Sequence, residues 1–261
     1  MQDMNRASRR NFLKTATAAL GSAALLAGCG SSMEAKKSNN AKKSIISKGD
    51  TVLFQGDSIT DSGRARSQAP NLASRRFGYG YVFFIAGRLM AEKPTYDLNL
   101  INRGISGNTV TDLTSRWDAD CIQLKPNVLS ILIGVNDIWH TFQGTYNGTV
   151  EKYETGYRAL LERTVKALPE VKLVICEPYV LRCGTVTDKW FPEFDHYRAV
   201  AKKMSEDFKT KFVPFQTMFD NAVKDTEPTY WSEDGVHPTI AGAALMANEW
   251  LKVVTGEKVK I

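Results

Sequence analysis

The sequence predicts a single α/β/α domain with a parallel β-sheet, and three observations support this fold class. From about residue 50, short apolar segments alternate with longer segments of helical length. The composition is that of a globular protein, with 43% hydrophobic and 24% charged residues in a chain of 261. Strands that alternate with helices form parallel pairs through crossover helices, which cover both faces of the sheet.

Five apolar segments are predicted to be strands. The most continuous, residues 128–135, reads VLSILIGV, and such a run is typical of a strand buried on both faces. The other predicted strands are residues 51–55, 98–105, 171–176 and 212–215.

The longer segments are predicted to be helices: residues 81–92, 109–125, 150–168, 194–211 and 240–254. Thr109 is a suitable N-cap for the second of them, and Pro126 follows its end. Because open parallel sheets bind ligands beyond the carboxyl ends of their strands, functional side chains are expected in the segments that follow strands. These segments are residues 56–61, 103–109, 134–137 and 177–183.

The N-terminus is predicted to direct export. Arg9 and Arg10 precede a short apolar run that ends at Gly28, and this arrangement resembles a bacterial twin-arginine signal. Residues 26–29 read LAGC and resemble the lipobox of bacterial lipoproteins, in which the cysteine is acylated. The alternative interpretation is that Cys29 is a small residue of the signal peptide and is not acylated.

The predicted organisation is therefore a signal peptide at residues 1–28, a lipidated Cys29 with a flexible tether to residue 49, and a folded domain at 50–261. The protein is expected in the bacterial cell envelope, with its N-terminal lipid as the membrane contact.

The charge of the chain gives little support for nucleic-acid binding. Four basic residues against one acid in the first 28 positions account for +3 of the net charge of +6, which leaves +3 for the remainder. Three later cysteines, Cys121, Cys176 and Cys183, are expected to be buried thiols. A disulfide between the last two stays open, and no cysteine–histidine cluster has zinc-site spacing.

A serine at a strand end is the first candidate for chemistry. Ser58 lies in FQGDSITD, directly after the first predicted strand. A serine hydroxyl is a weak nucleophile until a base accepts its proton, and histidine is the usual base. His237 lies in DGVHP, where Asp234 is placed to orient its ring. Gly235 and Pro238 predict that this segment is a loop.

The other two histidines are competitors for this role. Asp137 and His140 have the same Asp-x-x-His spacing. Asp137, however, follows a buried strand and is also suited to cap a helical turn or to order a loop. His196 lies in a predicted helix and is expected at the surface or in packing. Context therefore favours His237.

Acyl transfer also needs hydrogen-bond donors for the oxyanion that develops in the transition state. Three donors are candidates: the backbone N–H of Gly104, the side-chain amide of Asn136 and the backbone N–H of Ser58. An ordinary loop glycine and a turn-forming asparagine are the alternative interpretations of the first two.

Four separated blocks together resemble the SGNH (GDSL-type) hydrolase family: GDS at 56–58, NRGISGNT around Gly104, GVND at 134–137 and DGVHP at 234–238. The resemblance extends from about residue 50 to 254. It implies a three-layer α/β/α sandwich of flavodoxin-like type with about five parallel strands. It also implies Ser58 as nucleophile, His237 as base, Asp234 as its orienting partner, and Ser58, Gly104 and Asn136 as oxyanion donors. No metal or cofactor is implied.

The substrate is less constrained by the sequence. A polar insert at residues 62–80 carries Arg64, Arg66, Arg75 and Arg76, which either border the site or form a solvated loop. Aromatic residues near strand ends are suited to stack on sugar rings or to anchor loops: Trp139, Phe142, Tyr146 and Trp190. The expected function is that of a serine esterase, which acts through an acyl-enzyme and removes short acyl groups, such as acetyl, from carbohydrates. The expected substrate is an acylated glycan or small molecule. The alternatives are a lysophospholipase or thioesterase, and a glycan-binding lipoprotein without activity.

Overall fold

The computed structural model describes residues 44–66 and 74–256. The predicted signal peptide, Cys29 and most of the tether lie outside these residues. Five parallel strands form one sheet: β1 Thr51–Gly56, β2 Asn99–Asn102, β3 Val128–Leu132, β4 Lys172–Cys176 and β5 Lys211–Val213. Their order in the sheet is β2-β1-β3-β4-β5, which is the flavodoxin-like order. The predicted three-layer fold is therefore confirmed.

The strands are short, and the three central ones are apolar and almost fully buried. The helices in the described residues are α1 Ser58–Asp61, α2 Tyr81–Glu92, α3 Val110–Asp120, α4 Val135–Phe142, α5 Val150–Ala167, α6 Glu193–Asp207, α7 Phe215–Ala222, α8 Pro228–Trp231 and α9 Ile240–Thr255.

Two helical layers enclose the sheet. Helices α3, α5 and α6 pack against one another, and α2 packs against α9 with α7 and α8 beside it. Trp250 of α9 donates from Nε1 to Ser130 Oγ in β3 at 2.9 Å, which satisfies two polar groups inside the core.

Three predicted strands end earlier than the apolar pattern suggested, and the first is β2, which stops at Asn102 rather than at residue 105. Strand β3 stops at Leu132, because Gly134 adopts a φ of 131° and α4 begins at Val135. Likewise β5 stops at Val213, and α7 begins at Phe215. At the ends of β3 and β5 the first turn of the helix is also buried, so the apolar run continues across the junction.

The folded domain also begins before residue 50, which corrects the predicted boundary of the tether. Ile46 is buried in the core, and the Ile45 N–H donates to the Val254 carbonyl at 3.1 Å. Two apolar residues within a polar segment were too weak a signal to place this contact.

The cysteines of the described residues are free thiols, so Cys176 and Cys183 form no disulfide. Cys121 and Cys176 are buried as expected, whereas Cys183 is partly exposed and donates to the Ser232 carbonyl at 3.1 Å. Within residues 44–66 and 74–256, no helix has the length and apolar character needed to cross a bilayer.

Candidate active site

The nucleophile candidate sits at the turn between β1 and α1. Asp57 caps α1, and its Oδ1 accepts a hydrogen bond from the Ile59 N–H at 3.0 Å. Ser58 is the first residue of this helical turn, so its own N–H has no acceptor within the helix. The turn thus presents a hydroxyl and a free backbone donor at the carboxyl edge of the sheet.

The structure brings Ser58, His237 and Asp234 into one hydrogen-bonded chain. Ser58 Oγ lies 2.7 Å from His237 Nε2, although 179 positions separate them in sequence. His237 Nδ1 lies 2.6 Å from Asp234 Oδ2. Because a carboxylate only accepts, the ring proton is placed on Nδ1, which leaves Nε2 free to accept from the Ser58 hydroxyl.

Asp234 is held by its own loop as well as by the histidine. Its Oδ1 accepts from the backbone N–H groups of Val236 at 2.9 Å and His237 at 2.7 Å. Partial burial acts to raise the pKa of Asp234, but these hydrogen bonds and that of the His237 ring lower it below the usual 3.8. The carboxylate therefore stays ionised beside the imidazole.

The competing pair is engaged elsewhere. The Asp137 carboxylate accepts from the Val110 N–H at 3.1 and 3.2 Å, and so caps the start of α3 rather than orienting His140. His140 is half-buried in the last turn of α4, and His196 is exposed on α6. Neither carries the contacts seen at His237.

We predict a pH-dependent stability difference between the wild type and Asp137→Asn. Burial raises the pKa of Asp137 from 3.8 to about 7, against the hydrogen bond from Val110, which lowers it. A raised carboxyl pKa contributes stability that is complete below 3.8 and is lost as the pH rises through 7. Between pH 5 and pH 8, the wild type should therefore lose about 2–4 kcal/mol of its free energy of unfolding through Asp137, and the variant should not lose it.

Urea unfolding at the two pH values measures this difference. Asp57, whose pKa burial also raises to about 7, titrates in both proteins, so its own contribution largely cancels. What remains in the difference is Asp137 together with its charge interaction with Asp57, which also raises the pKa of Asp137. If the free energy of unfolding changes by the same amount in both proteins between pH 5 and pH 8, the prediction is contradicted.

Gly104 packs directly against the nucleophile turn. A Cβ added there would meet the carbonyl carbon of Thr60 at 2.7 Å, and the Asp61 backbone still more closely. Only glycine permits this approach, which brings the loop after β2 beside Ser58.

The N–H of Gly104 already has a partner, which sequence reasoning did not foresee. It donates to Asn102 Oδ1 at 2.9 Å. The Asn102 amide is fixed in this orientation because its Nδ2 donates to the carbonyls of Thr60 at 2.6 Å and Phe77 at 3.0 Å. The Gly104 N–H can therefore donate to an oxyanion only if it divides its hydrogen bond between the oxyanion and Asn102 Oδ1, or gives up the bond to Asn102.

Asn136 and Ser58 offer the other two candidate donors. Asn136 is buried in the first turn of α4, and its Nδ2 donates one hydrogen to the Asn108 carbonyl at 3.1 Å. An amide nitrogen has two hydrogens, so the second remains for a ligand.

Asp61 is a second residue that the sequence analysis missed. It is buried in α1, and its Oδ2 accepts from the Ser106 N–H at 3.0 Å and the Ser106 hydroxyl at 3.2 Å. Together with Asn102, it joins the Ser58 turn to the Gly104 loop. The only sequence signal was its place three residues after the serine.

An aromatic group lies beside the histidine. The Trp139 ring centroid is 6.0 Å from that of His237 and 5.8 Å from that of Trp190. Trp190 is buried and also contacts Phe142, whose side chain is 48% exposed. Trp190 thus anchors the group, whereas Trp139 and Phe142 reach solvent next to the site. Tyr146 instead hydrogen bonds to Thr111 at 2.8 Å.

Comparisons with known proteins identify relatives of this chain. The model of the GDSL-like lipase/acylhydrolase family matches residues 54–245. The chain is 36% identical over 217 residues to an acetylxylan esterase from Geobacillus stearothermophilus, an alignment that covers 82% of this chain and 98% of the esterase.

Two solved structures share the fold. One is a GDSL-like lipase from Parabacteroides merdae, with 50% identity and a TM-score of 0.79 over 82% of this chain and all of that one. The other is a form of an acetyl xylan esterase from Geobacillus stearothermophilus, with 34% identity and a TM-score of 0.73 over 83% of this chain and all of that one.

Proposed function

We propose that this protein removes acetyl groups from carbohydrates through an acyl-enzyme on Ser58. The premise is that the chain belongs to the GDSL-like lipase/acylhydrolase family and is a carboxylic ester hydrolase. The observation that carries the proposal is the chain of short contacts from Ser58 Oγ through His237 to Asp234, at 2.7 and 2.6 Å.

The first half of the proposed reaction forms the acyl-enzyme. Ser58 Oγ attacks the ester carbonyl while His237 Nε2 takes the hydroxyl proton. The oxyanion accepts hydrogen bonds from the Ser58 N–H and from the free amide hydrogen of Asn136, with Gly104 as the third donor. As the bond between the carbonyl carbon and the sugar oxygen breaks, His237 gives the proton to that oxygen, which leaves as a hydroxyl group.

The second half restores the serine. A water molecule gives a proton to His237 Nε2 as its oxygen attacks the acetyl carbonyl. The tetrahedral intermediate then collapses, Ser58 Oγ leaves with the proton from His237, and acetate is released. Asp234 keeps the imidazole in the required tautomer and stabilises its positive charge in both halves.

Carbohydrate as the alcohol part is supported by the aromatic group and by the relatives. Trp139 presents its ring beside His237, and the exposed Phe142 ring belongs to the same group through Trp190. Sugar rings pack well on such surfaces. An acetylxylan esterase from Geobacillus stearothermophilus aligns with this chain over nearly its whole length, which supports an acetylated carbohydrate as the substrate.

Export and lipid attachment at Cys29 remain part of this proposal on the basis of the sequence alone. An enzyme held at the cell envelope by a lipid would meet glycans outside the cytoplasm, which suits the proposed substrate.

Acetate release tests the function. The protein is incubated with acetylated xylo-oligosaccharides, and with aryl acetate and aryl octanoate as a chain-length pair. We expect acetate from the oligosaccharides and a higher kcat/KM for aryl acetate than for the octanoate. A preference for octanoate, with no release from the sugars, would favour a lysophospholipase or thioesterase and contradict the proposal.

A further inference from the structure

A cavity lies beside the edge strand β2. Its volume is about 150 Å³. Side chains and backbone of β2 form one wall, and four arginines line the rest: Arg64, Arg66, Arg76 and Arg103. We call it the arginine cavity.

The arginine cavity is joined directly to the candidate active site. Arg64 is buried, and its Nε donates to the Gly104 carbonyl at 2.8 Å. Asp61, in the helical turn that Ser58 begins, accepts from Arg66 Nη2 at 2.7 Å. A group bound between these arginines therefore lies next to the loop that carries Gly104.

Positive charge around the arginine cavity exceeds negative charge. In the described part of the chain, two carboxylates pair with four guanidinium groups. Asp61 is 4.0 Å from Arg64 and 2.7 Å from Arg66, while Asp120 is 3.8 Å from Arg103 and 3.0 Å from Arg116. These six groups sum to a charge of about +2. Burial lowers the pKa of Arg64, and the nearby charges of Arg66 and Arg103 lower it further.

Two of these arginines retain donors for a ligand. The Arg66 side chain is 53% exposed and the Arg103 side chain 28% exposed. Each guanidinium has five N–H donors, and Arg66 is bonded to Asp61 through one nitrogen. Arg103 Nε is buried and lies 3.8 Å from Asp120 Oδ1, so only the terminal nitrogens of its guanidinium remain for a ligand. Such unused, planar donors match a carboxylate, which accepts two parallel hydrogen bonds.

We propose that the arginine cavity is a subsite for the carboxylate of an acidic sugar carried by the acetylated glycan. This inference rests on the function proposed above and narrows it from acetylated carbohydrates to those that bear a uronic acid. The carboxylate would complete the charge balance of the cavity and hold the acetylated sugar beside Ser58. Attraction of this kind acts on substrate capture, so it raises kcat/KM.

The test compares two acetylated oligosaccharides of equal length and acetyl position, one neutral and one with a uronic acid branch. For the wild type, kcat/KM for acetate release should be about tenfold higher for the acidic substrate, and the ratio should fall when salt rises from about 50 mM to about 500 mM. Arg66→Gln should lower the ratio by about tenfold, and Arg103→Gln provides a second variant should the first fail to fold. Arg88→Gln, on α2 and paired with Glu92 at 2.8 Å, is the matched control that should keep it.

A binding measurement separates this inference from the proposed function. Saturation-transfer NMR is recorded with Ser58→Ala protein and the deacetylated acidic oligosaccharide, with inorganic phosphate as competitor. Binding that Arg66→Gln abolishes supports the subsite even if no acetyl ester is hydrolysed. Equal ratios for the wild type and Arg66→Gln would overturn the subsite. So would phosphate binding, seen as broadening of the ³¹P signal, without binding of the oligosaccharide. The phosphate result would point to a phosphate-bearing ligand such as a lysophospholipid headgroup.

Discussion

His237→Ala is expected to lower kcat for ester hydrolysis by about 10⁴- to 10⁶-fold. The reason is geometric. His237 Nε2 is the acceptor 2.7 Å from the Ser58 hydroxyl, and without it the attacking oxygen keeps its proton. Turnover of an aryl acetate measures the effect, because a good leaving group reports on attack by the serine.

His140→Ala is the matched control for this variant. His140 also lies three residues after an aspartate, but the Asp137 carboxylate binds the Val110 N–H at the start of α3. The control should retain most of the wild-type activity. A large loss in His140→Ala together with a small loss in His237→Ala would contradict the assigned base.

Asp234→Asn is expected to lower kcat by about 10⁴-fold while the fold is kept. The backbone N–H groups of Val236 and His237 bind one carboxylate oxygen and would hold the oxygen of an asparagine in the same place. The amide NH₂ would then face His237 Nδ1, which must accept rather than donate. The ring proton moves to Nε2, and the ring no longer accepts the proton of Ser58.

The thermal midpoint and the kinetic constants of this variant are measured together. Glu233→Gln, an exposed carboxylate neighbour in the same loop, is the control that should leave both unchanged. An Asp234→Asn enzyme within tenfold of wild-type kcat would show that Asp234 does not set the tautomer of the ring.

The sheet was predictable because its strands are short apolar runs, whereas the helices between them are longer and their apolar residues recur at helical spacing. The bounds of α2, Tyr81–Glu92, agree with the prediction for this reason. The ends of β3 and β5 were not predictable from the apolar pattern, since Val135 and Phe215 are buried in the helices that follow. Helices of four residues, such as α1 and α8, are too short to show a helical period.

The candidate site was predictable only in part. Spacing alone left His140 and His237 as alternatives, and no local pattern joins a serine to a histidine 179 positions later. The family resemblance supplied that link. It did not supply the bond from the Gly104 N–H to Asn102, or the role of Asp61 in joining two loops, because these depend on contacts between strand ends.

Covalent labelling tests the central claim, that Ser58 is an activated nucleophile. The protein is treated with a fluorophosphonate, and the adduct is located by mass spectrometry of its peptides. One adduct is expected, on Ser58, with labelling absent in Ser58→Ala and strongly slowed in His237→Ala. Continued ester hydrolysis with Ser58 unlabelled, or with Ser58 replaced by alanine, would contradict the account.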